Sequence, residues 1–271
     1  MPSYLISGVS RGMGFEFLKQ LSSDESNIVF GFGRNSAATQ NKVNEEIGDR
    51  KNIHLLEGDL LDHASIKASV ATVEKITGGS LDYLIANGAI MSSYSTFRTY
   101  AQLAEDPVAL EDDLIRFFRV NVVGNINLIN EYMPLILKGA VKKVISITSG
   151  FADADTISKH DFSGNPSYPI SKAAMNMAMA KFSAEYRKDG VLCMSIAPGV
   201  VATSGYQGDE GPHVETGMQD LMGKLAAYAP NFTGPATAEQ AVQDVMKVVN
   251  ASTVEKDFGA FVSQHGDKNW I

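Results

Sequence analysis

Ser7-Gly8-Val9-Ser10-Arg11-Gly12-Met13-Gly14 decides how this chain is to be read. It follows a short apolar run at residues 4–7 and opens an amphipathic stretch at 12–21. Gly8 would permit a tight turn, and Gly12 and Gly14 would let backbone and helix approach a pyrophosphate. The helix start then offers N–H groups and a positive dipole end to that anion, with Ser10, Arg11 and Met13 completing the loop. The spacing is G-x-x-x-G-x-G rather than the G-x-G-x-x-G fingerprint. Placement after a strand and before a helix is what makes it a candidate dinucleotide loop.

Outward from this loop, β-branched or apolar runs recur at 28–33, 53–57, 81–86, 143–148, 191–197 and 259–262. Helical patterns lie between them, including 64–76, 108–137, 168–188 and 238–250. Repeated strand–helix–strand units imply a parallel, doubly wound α/β sheet with helices on both faces. No linker, repeat or low-complexity tract interrupts the alternation, so residues 1–271 read as a single domain. The 271 residues, 44% of them hydrophobic, suffice for a large core and exclude disordered and fibrous classes. A net charge of −8 without a basic block argues against nucleic acid and anionic membranes. The single cysteine, Cys193, gives neither a disulfide nor metal-ligand spacing, and no metal site is expected. With no spanning segment and a motif directly after residue 6, the expectation is a cytoplasmic protein.

Two connections exceed ordinary loop length, at 87–106 and 203–235. Both follow carboxyl ends of strands, where open α/β sheets bind ligands. In the second, Met218, Leu221, Met222 and Leu225 fall on one helical face, so 203–235 reads as a substrate loop or lid. Asp209, Glu210, His213 and Glu215 cluster there, but closeness in a loop does not make ligand geometry.

The end of the second strand speaks to cofactor choice. An NAD site usually carries an acid there for the ribose 2′-hydroxyl. Residues 27–38 contain none and read Phe32-Gly33-Arg34-Asn35. Arg34 could hold a 2′-phosphate through planar, charge-assisted hydrogen bonds, with Arg11 as a second positive group. The expected cofactor is NADP(H).

Taken together, these motifs resemble the short-chain dehydrogenase/reductase family in its single-domain branch, over nearly the whole chain. The family's Thr-Gly-x-x-x-Gly-x-Gly appears as Ser7-Gly8 through Gly14. Its adenine-facing aspartate resembles Asp59, followed by Leu60. Its Asn-Asn-Ala-Gly is matched loosely by Ala86-Asn87-Gly88-Ala89, and its helix asparagine by Asn121. The strand-end serine looks like Ser149, and the Tyr-x-x-x-Lys pair like Tyr168 and Lys172. Pro198-Gly199-Val200-Val201-Ala202-Thr203 resembles the segment beside the nicotinamide. With nine tyrosines and sixteen lysines, about half a Tyr-x-x-x-Lys match is expected by chance, so order and position carry the resemblance. Ser149 precedes Tyr168 by more residues than is usual, and the polar excess at 152–165 reads as a surface insertion near the pocket mouth, with His160 and Asp161 exposed. Ser146 and Ser163 stay open as substitutes for Ser149.

Tyr168 and Lys172, at i and i+4, share a helix face. A neighbouring ammonium would favour the phenolate and bring the tyrosine nearer to neutrality. In reduction Tyr168 would give a proton to a carbonyl oxygen, and Ser149 would hydrogen-bond the same oxygen. The resemblance implies that Lys172 also holds the nicotinamide ribose and that Asn121 positions a water. It implies a homodimer or homotetramer too: the side of this helix at Ala173, Ala174, Met175, Met177, Ala178, Met179 and Ala180 is small and adaptable, a subunit interface by the resemblance and otherwise part of the protein's own core. The reading is an NADPH-dependent reductase of a moderately sized, mainly apolar carbonyl compound. The alternative is a non-redox or NADP-sensing protein on the same fold.

Overall fold

The computed structural model describes residues 1–202 and 212–271. Its first half alternates β1 (Ser3–Ser7), α1 (Gly12–Leu21), β2 (Ile28–Gly33), α2 (Ser36–Glu46), β3 (Ile53–Glu57), α3 (His63–Thr77) and β4 (Tyr83–Ala86). Next come α4 (Tyr100–Leu103), α5 (Pro107–Phe117), a π-helical segment (Phe118–Gly124), α6 (Asn125–Ile136) and β5 (Lys143–Ile147). The last part holds α7 (Ala154–Lys159), α8 (Ser167–Tyr186), β6 (Leu192–Ala197), α9 (Pro212–Tyr228), α10 (Ala238–Ala251), α11 (Val254–Asp257) and β7 (Phe261–Ser263). The strands lie in the order β3-β2-β1-β4-β5-β6-β7 and every pairing is parallel. This is the doubly wound, Rossmann-like sheet expected from the alternation.

Alternate strand residues feed two cores. Tyr4, Ile6, Leu192, Met194 and Ile196 pack with Phe17 and Leu18 of α1 and Val242, Val245 and Val249 of α10. Leu5 and Cys193 point the other way, among Ile66 of α3, Leu128 and Tyr132 of α6, and Met175 and Met179 of α8. Both faces are covered, which is why the strands are apolar almost throughout. Burial pushes the Cys193 thiol up to about 12, so it behaves as a core residue rather than a nucleophile.

Several boundaries differ from the sequence expectation, each for a local reason. The fourth strand begins at Tyr83 rather than residue 81, because the Asp82 carboxylate takes the local N–H groups instead. It accepts from Ser3 N at 2.9 Å and Ala140 N at 2.8 Å. The single helix expected over 108–137 is interrupted by the π segment at Phe118–Gly124, which inserts an extra residue and turns Asn121 inward. The polar insertion contains α7, whose first turn is capped by Asp153. His160 within it is half-buried rather than exposed, edge-on to the Tyr228 ring at 4.6 Å, while Asp161 is exposed as expected. In α9 the expected apolar face is only partly used: Leu225 is buried, but Met218 and Met222 remain exposed. Likewise Met175 and Met179 of α8 enter the core, whereas Met177 stays 66% exposed. Among the described residues no helix is long and apolar enough to cross a membrane, and no group of side chains could hold a metal ion.

Candidate active site

β1 ends in Ser7, and Gly8 turns the chain with a φ of +76°. A β-carbon on Gly8 would stand 2.8 Å from Gly88 Cα, so conformation and space both demand glycine. Gly14 has a different duty. A β-carbon there would stand 2.1 Å from the Gly8 carbonyl oxygen, so Gly14 lets α1 seat against its own entry loop. Ser7 ties this turn to the end of β4: its hydroxyl accepts from Asn87 N at 3.1 Å and Gly88 N at 2.8 Å. Asn87 Nδ2 returns a bond to the Ser7 carbonyl at 3.0 Å. From below, Asn125 Nδ2 donates to the Gly88 carbonyl at 3.0 Å.

Helices α2 and α3 are capped by the side chains of Asn35 and Asp62, whereas α1 starts at Arg11 with no side-chain cap. Its first-turn N–H groups therefore remain available to an anion, the arrangement a pyrophosphate needs. Ser10, Arg11, Gly12 and Met13 line a cavity of about 1150 Å³ that starts here. Arg34 lines it too; Arg11 and Arg34 are exposed, and among the described residues neither is in an ion pair. Glu57, beside Gly33 in the sheet register, accepts the Ser36 hydroxyl at 2.6 Å. Asn35 is not among the residues lining the cavity; its side-chain Oδ1 accepts from Ala38 N at 2.8 Å and caps α2. Asp59 and Leu60 line one flank, and Asp59 Oδ1 accepts from Leu61 N at 2.9 Å. Pro198, Gly199 and Val201 line the opposite flank; Thr203 lies outside the described residues.

Ser149, Tyr168 and Lys172 all line this cavity. Ser149 stands just past β5 and accepts from Phe151 N at 3.2 Å, which leaves its own O–H to donate elsewhere. Ser146 is instead buried in the sheet opposite Ser195, while Ser163 lines the cavity from the insertion. The Tyr168 ring is steadied edge-on by Phe117, with centroids 6.3 Å apart. Lys172 Nζ donates to the Ile147 carbonyl at 2.7 Å and lies 5.6 Å from the Tyr168 ring centroid. Burial governs both groups: it pushes the Tyr168 phenol up to about 12 and the Lys172 ammonium down to about 8. At Tyr168 burial thus outweighs the neighbouring Lys172 ammonium. Asn121 is buried behind the wall. Its Oδ1 accepts from Ile90 N at 2.9 Å and its Nδ2 donates to Ser171 Oγ at 3.1 Å.

The other half of the cavity was not legible residue by residue. Phe97, Phe151 and Phe162 line it, with Leu221 and Lys224 of α9. Lys224 is paired with Asp220 at 2.6 Å. Trp270, next to the last residue, braces this wall: its indole N–H donates to Thr156 Oγ1 at 3.0 Å, and its backbone N–H to the Tyr228 hydroxyl at 3.2 Å. The sequence signal for this half lay in the two long connections, 87–106 with Phe97 and 203–235 with Leu221, which follow the carboxyl ends of strands.

The short chain dehydrogenase family model matches residues 3–211 of this chain. The chain belongs to the short-chain dehydrogenase/reductase family. Short chain dehydrogenase virK of Hypocrea virens is 46% identical to it, with 100% of each chain covered. Short-chain dehydrogenase/reductase iacC of Pestalotiopsis fici is 42% identical, again over 100% of each chain. Among solved structures, an NADPH-bound carbonyl reductase from chicken fatty liver superposes with a TM-score of 0.77. It covers 98% of each chain at 24% identity, a likeness of fold. As a short-chain dehydrogenase/reductase, the protein is an oxidoreductase that works with a nicotinamide cofactor on a small molecule.

Proposed function

We propose that this chain is an NADPH-dependent carbonyl reductase for moderately sized, mainly apolar substrates, with residues 1–271 acting as one unit and 203–235 as its substrate loop. The observation that carries the reading is that Ser149, Tyr168 and Lys172 share one cavity with the glycine loop and Arg34. The uncapped start of α1 would take the pyrophosphate, and Arg34 with Arg11 the 2′-phosphate. Asp59 and Leu60 would flank the adenine, and Asn87, Gly88, Pro198, Gly199 and Val201 the nicotinamide side. Bound NADPH would supply the hydride.

The protein's own residues would manage the proton. Burial favours the protonated Tyr168 phenol, the form a proton donor needs in the reductive direction. Tyr168 would pass that proton to the substrate oxygen while the Ser149 hydroxyl donates a hydrogen bond to the same atom. Lys172, anchored on Ile147, would place its charge beside the phenolate left behind and hold the cofactor ribose. Asn121 would act from behind, fixing Ile90 and Ser171 and positioning a water for proton return. Exposed Ile115 of α5, Phe118 of the π segment and Ile170 of α8 support a homodimer or homotetramer.

Fluorescence titration with NADPH and NADH, followed by a panel of ketones, quinones and imines, tests this directly. Tight NADPH binding with consumption on a panel member is expected. Failure to bind either cofactor would overturn the reading, and binding without consumption across the panel would favour a sensing or non-redox role.

A further inference from the structure

Phe97 has a φ of +64°, a left-handed conformation that bulky side chains avoid. Asn165 (φ +55°), opposite it, is of a type that tolerates this region, and both residues line the cavity. Three separate segments hold the strained residue in place. Asn165 N donates to the Arg98 carbonyl at 2.9 Å, tying the insertion after β5 to the residue after Phe97. Arg98 N bonds back to the Ser95 carbonyl at 3.2 Å, closing the turn from its own side. On the third side α9 rests on Phe97 through Gly217, where a β-carbon would stand 2.6 Å from both Phe97 Cβ and Phe97 O. A left-handed position would be served best by glycine or asparagine, so the backbone gives no reason for phenylalanine here. Strain of this kind persists where surrounding contacts over-determine it, and it concentrates at ligand sites.

We propose that Phe97 is a specificity-determining residue: its side chain is held at the cavity, against its backbone preference, to select aromatic carbonyl substrates. It does so with Phe151 and Phe162, whose rings meet at 5.1 Å on the same cavity. This rests on the reductase reading above, because the selected molecule is that reaction's substrate. The seat that Phe97 offers Gly217 also ties the α9 wall, including Leu221, to the same residue.

The test compares wild type with Phe97→Asn, which suits the left-handed backbone without the ring, and Phe97→Gly as a second variant. Three quantities are measured: thermal midpoint, NADPH affinity, and affinity and kcat/KM for 1-acetonaphthone against cyclohexanone. The expected result is an unchanged or higher midpoint for Phe97→Asn and unchanged NADPH affinity. Preference for the naphthyl ketone should fall about tenfold, chiefly in KM. An unchanged preference in both variants would overturn the proposal. So would a lower midpoint with equal losses on both ketones, which marks a merely structural residue. Ketone affinity is read by equilibrium binding to the NADP+ complex, which has no hydride to give, and so independently of turnover. A wild type that binds the naphthyl ketone without reducing it defeats the reductase reading alone, and one that binds neither ketone defeats the proposal.

Discussion

Lys172 Nζ lies 5.6 Å from the centroid of the Tyr168 ring, one turn further along α8, with a hydrogen bond to the Ile147 carbonyl at 2.7 Å. Burial leaves this ammonium near a pKa of about 8, well below its ordinary 10.5. The unfolded chain therefore holds that proton more tightly than the folded one between those two values. By linkage, this residue's contribution to stability rises with pH across that window. Denaturant unfolding of wild type and Lys172→Met should differ accordingly. Wild type gains roughly 2 kcal/mol relative to the variant between about pH 7 and 9.5. A difference that stays flat with pH would show that Lys172 keeps an ordinary pKa.

Tyr168→Phe removes the proposed proton donor while preserving the ring that Phe117 steadies at 6.3 Å. Turnover should fall by roughly 10²–10⁴-fold, the usual worth of a positioned acid, with NADPH affinity within a few fold of wild type. Steady-state kinetics with a fluorescence titration would check both, and unchanged turnover would take Tyr168 out of the mechanism.

Arg34 is exposed on the cavity edge and, among the described residues, in no ion pair, so its substitution disturbs little else. Arg34→Ala should weaken NADPH by about 10–100-fold, as for a lost charge-assisted bond, and leave NADH nearly unaffected. Equal losses for the two cofactors would defeat the 2′-phosphate assignment.

Gly14→Ala drives a methyl group to 2.1 Å from the Gly8 carbonyl oxygen and 2.6 Å from Asn87 Nδ2. Neither neighbour can yield easily, since one is backbone and the other is bonded to Ser7. A stability loss of about 1–3 kcal/mol is expected, with NADPH affinity falling as α1 shifts away from its loop. Retention of both the midpoint and the affinity would show that the loop is more compliant than its contacts indicate.

Much of this arrangement was legible beforehand, and particular residues show why. β1, α1 and β2 follow from an uninterrupted apolar run, a glycine turn and a helical period, all carried within a few residues. By contrast α2 buries only Thr39 and Val43, too little to leave a periodic signal. The π segment is silent as well, because one added residue in a helix changes no composition. Asn35 looked like a ligand residue from its place after β2, yet a helix start nearby claims its side chain.

From the sequence alone came the parallel α/β class, the family resemblance and the proposal of Ser149, Tyr168 and Lys172 as site residues, because those signals are local in spacing. The sequence marked the segments of the substrate half, at 87–106, 152–165 and 203–235, but tertiary structure alone decided which of their residues meet. Phe97, Asn165 and Gly217 belong to three connections far apart in the chain, and nothing periodic links them. Their meeting depends on long-range contacts that exist only once the sheet has brought those loops to one edge. Burial acts in the same way on Tyr168 and Lys172: residue type sets the ordinary pKa, and the surrounding fold moves it.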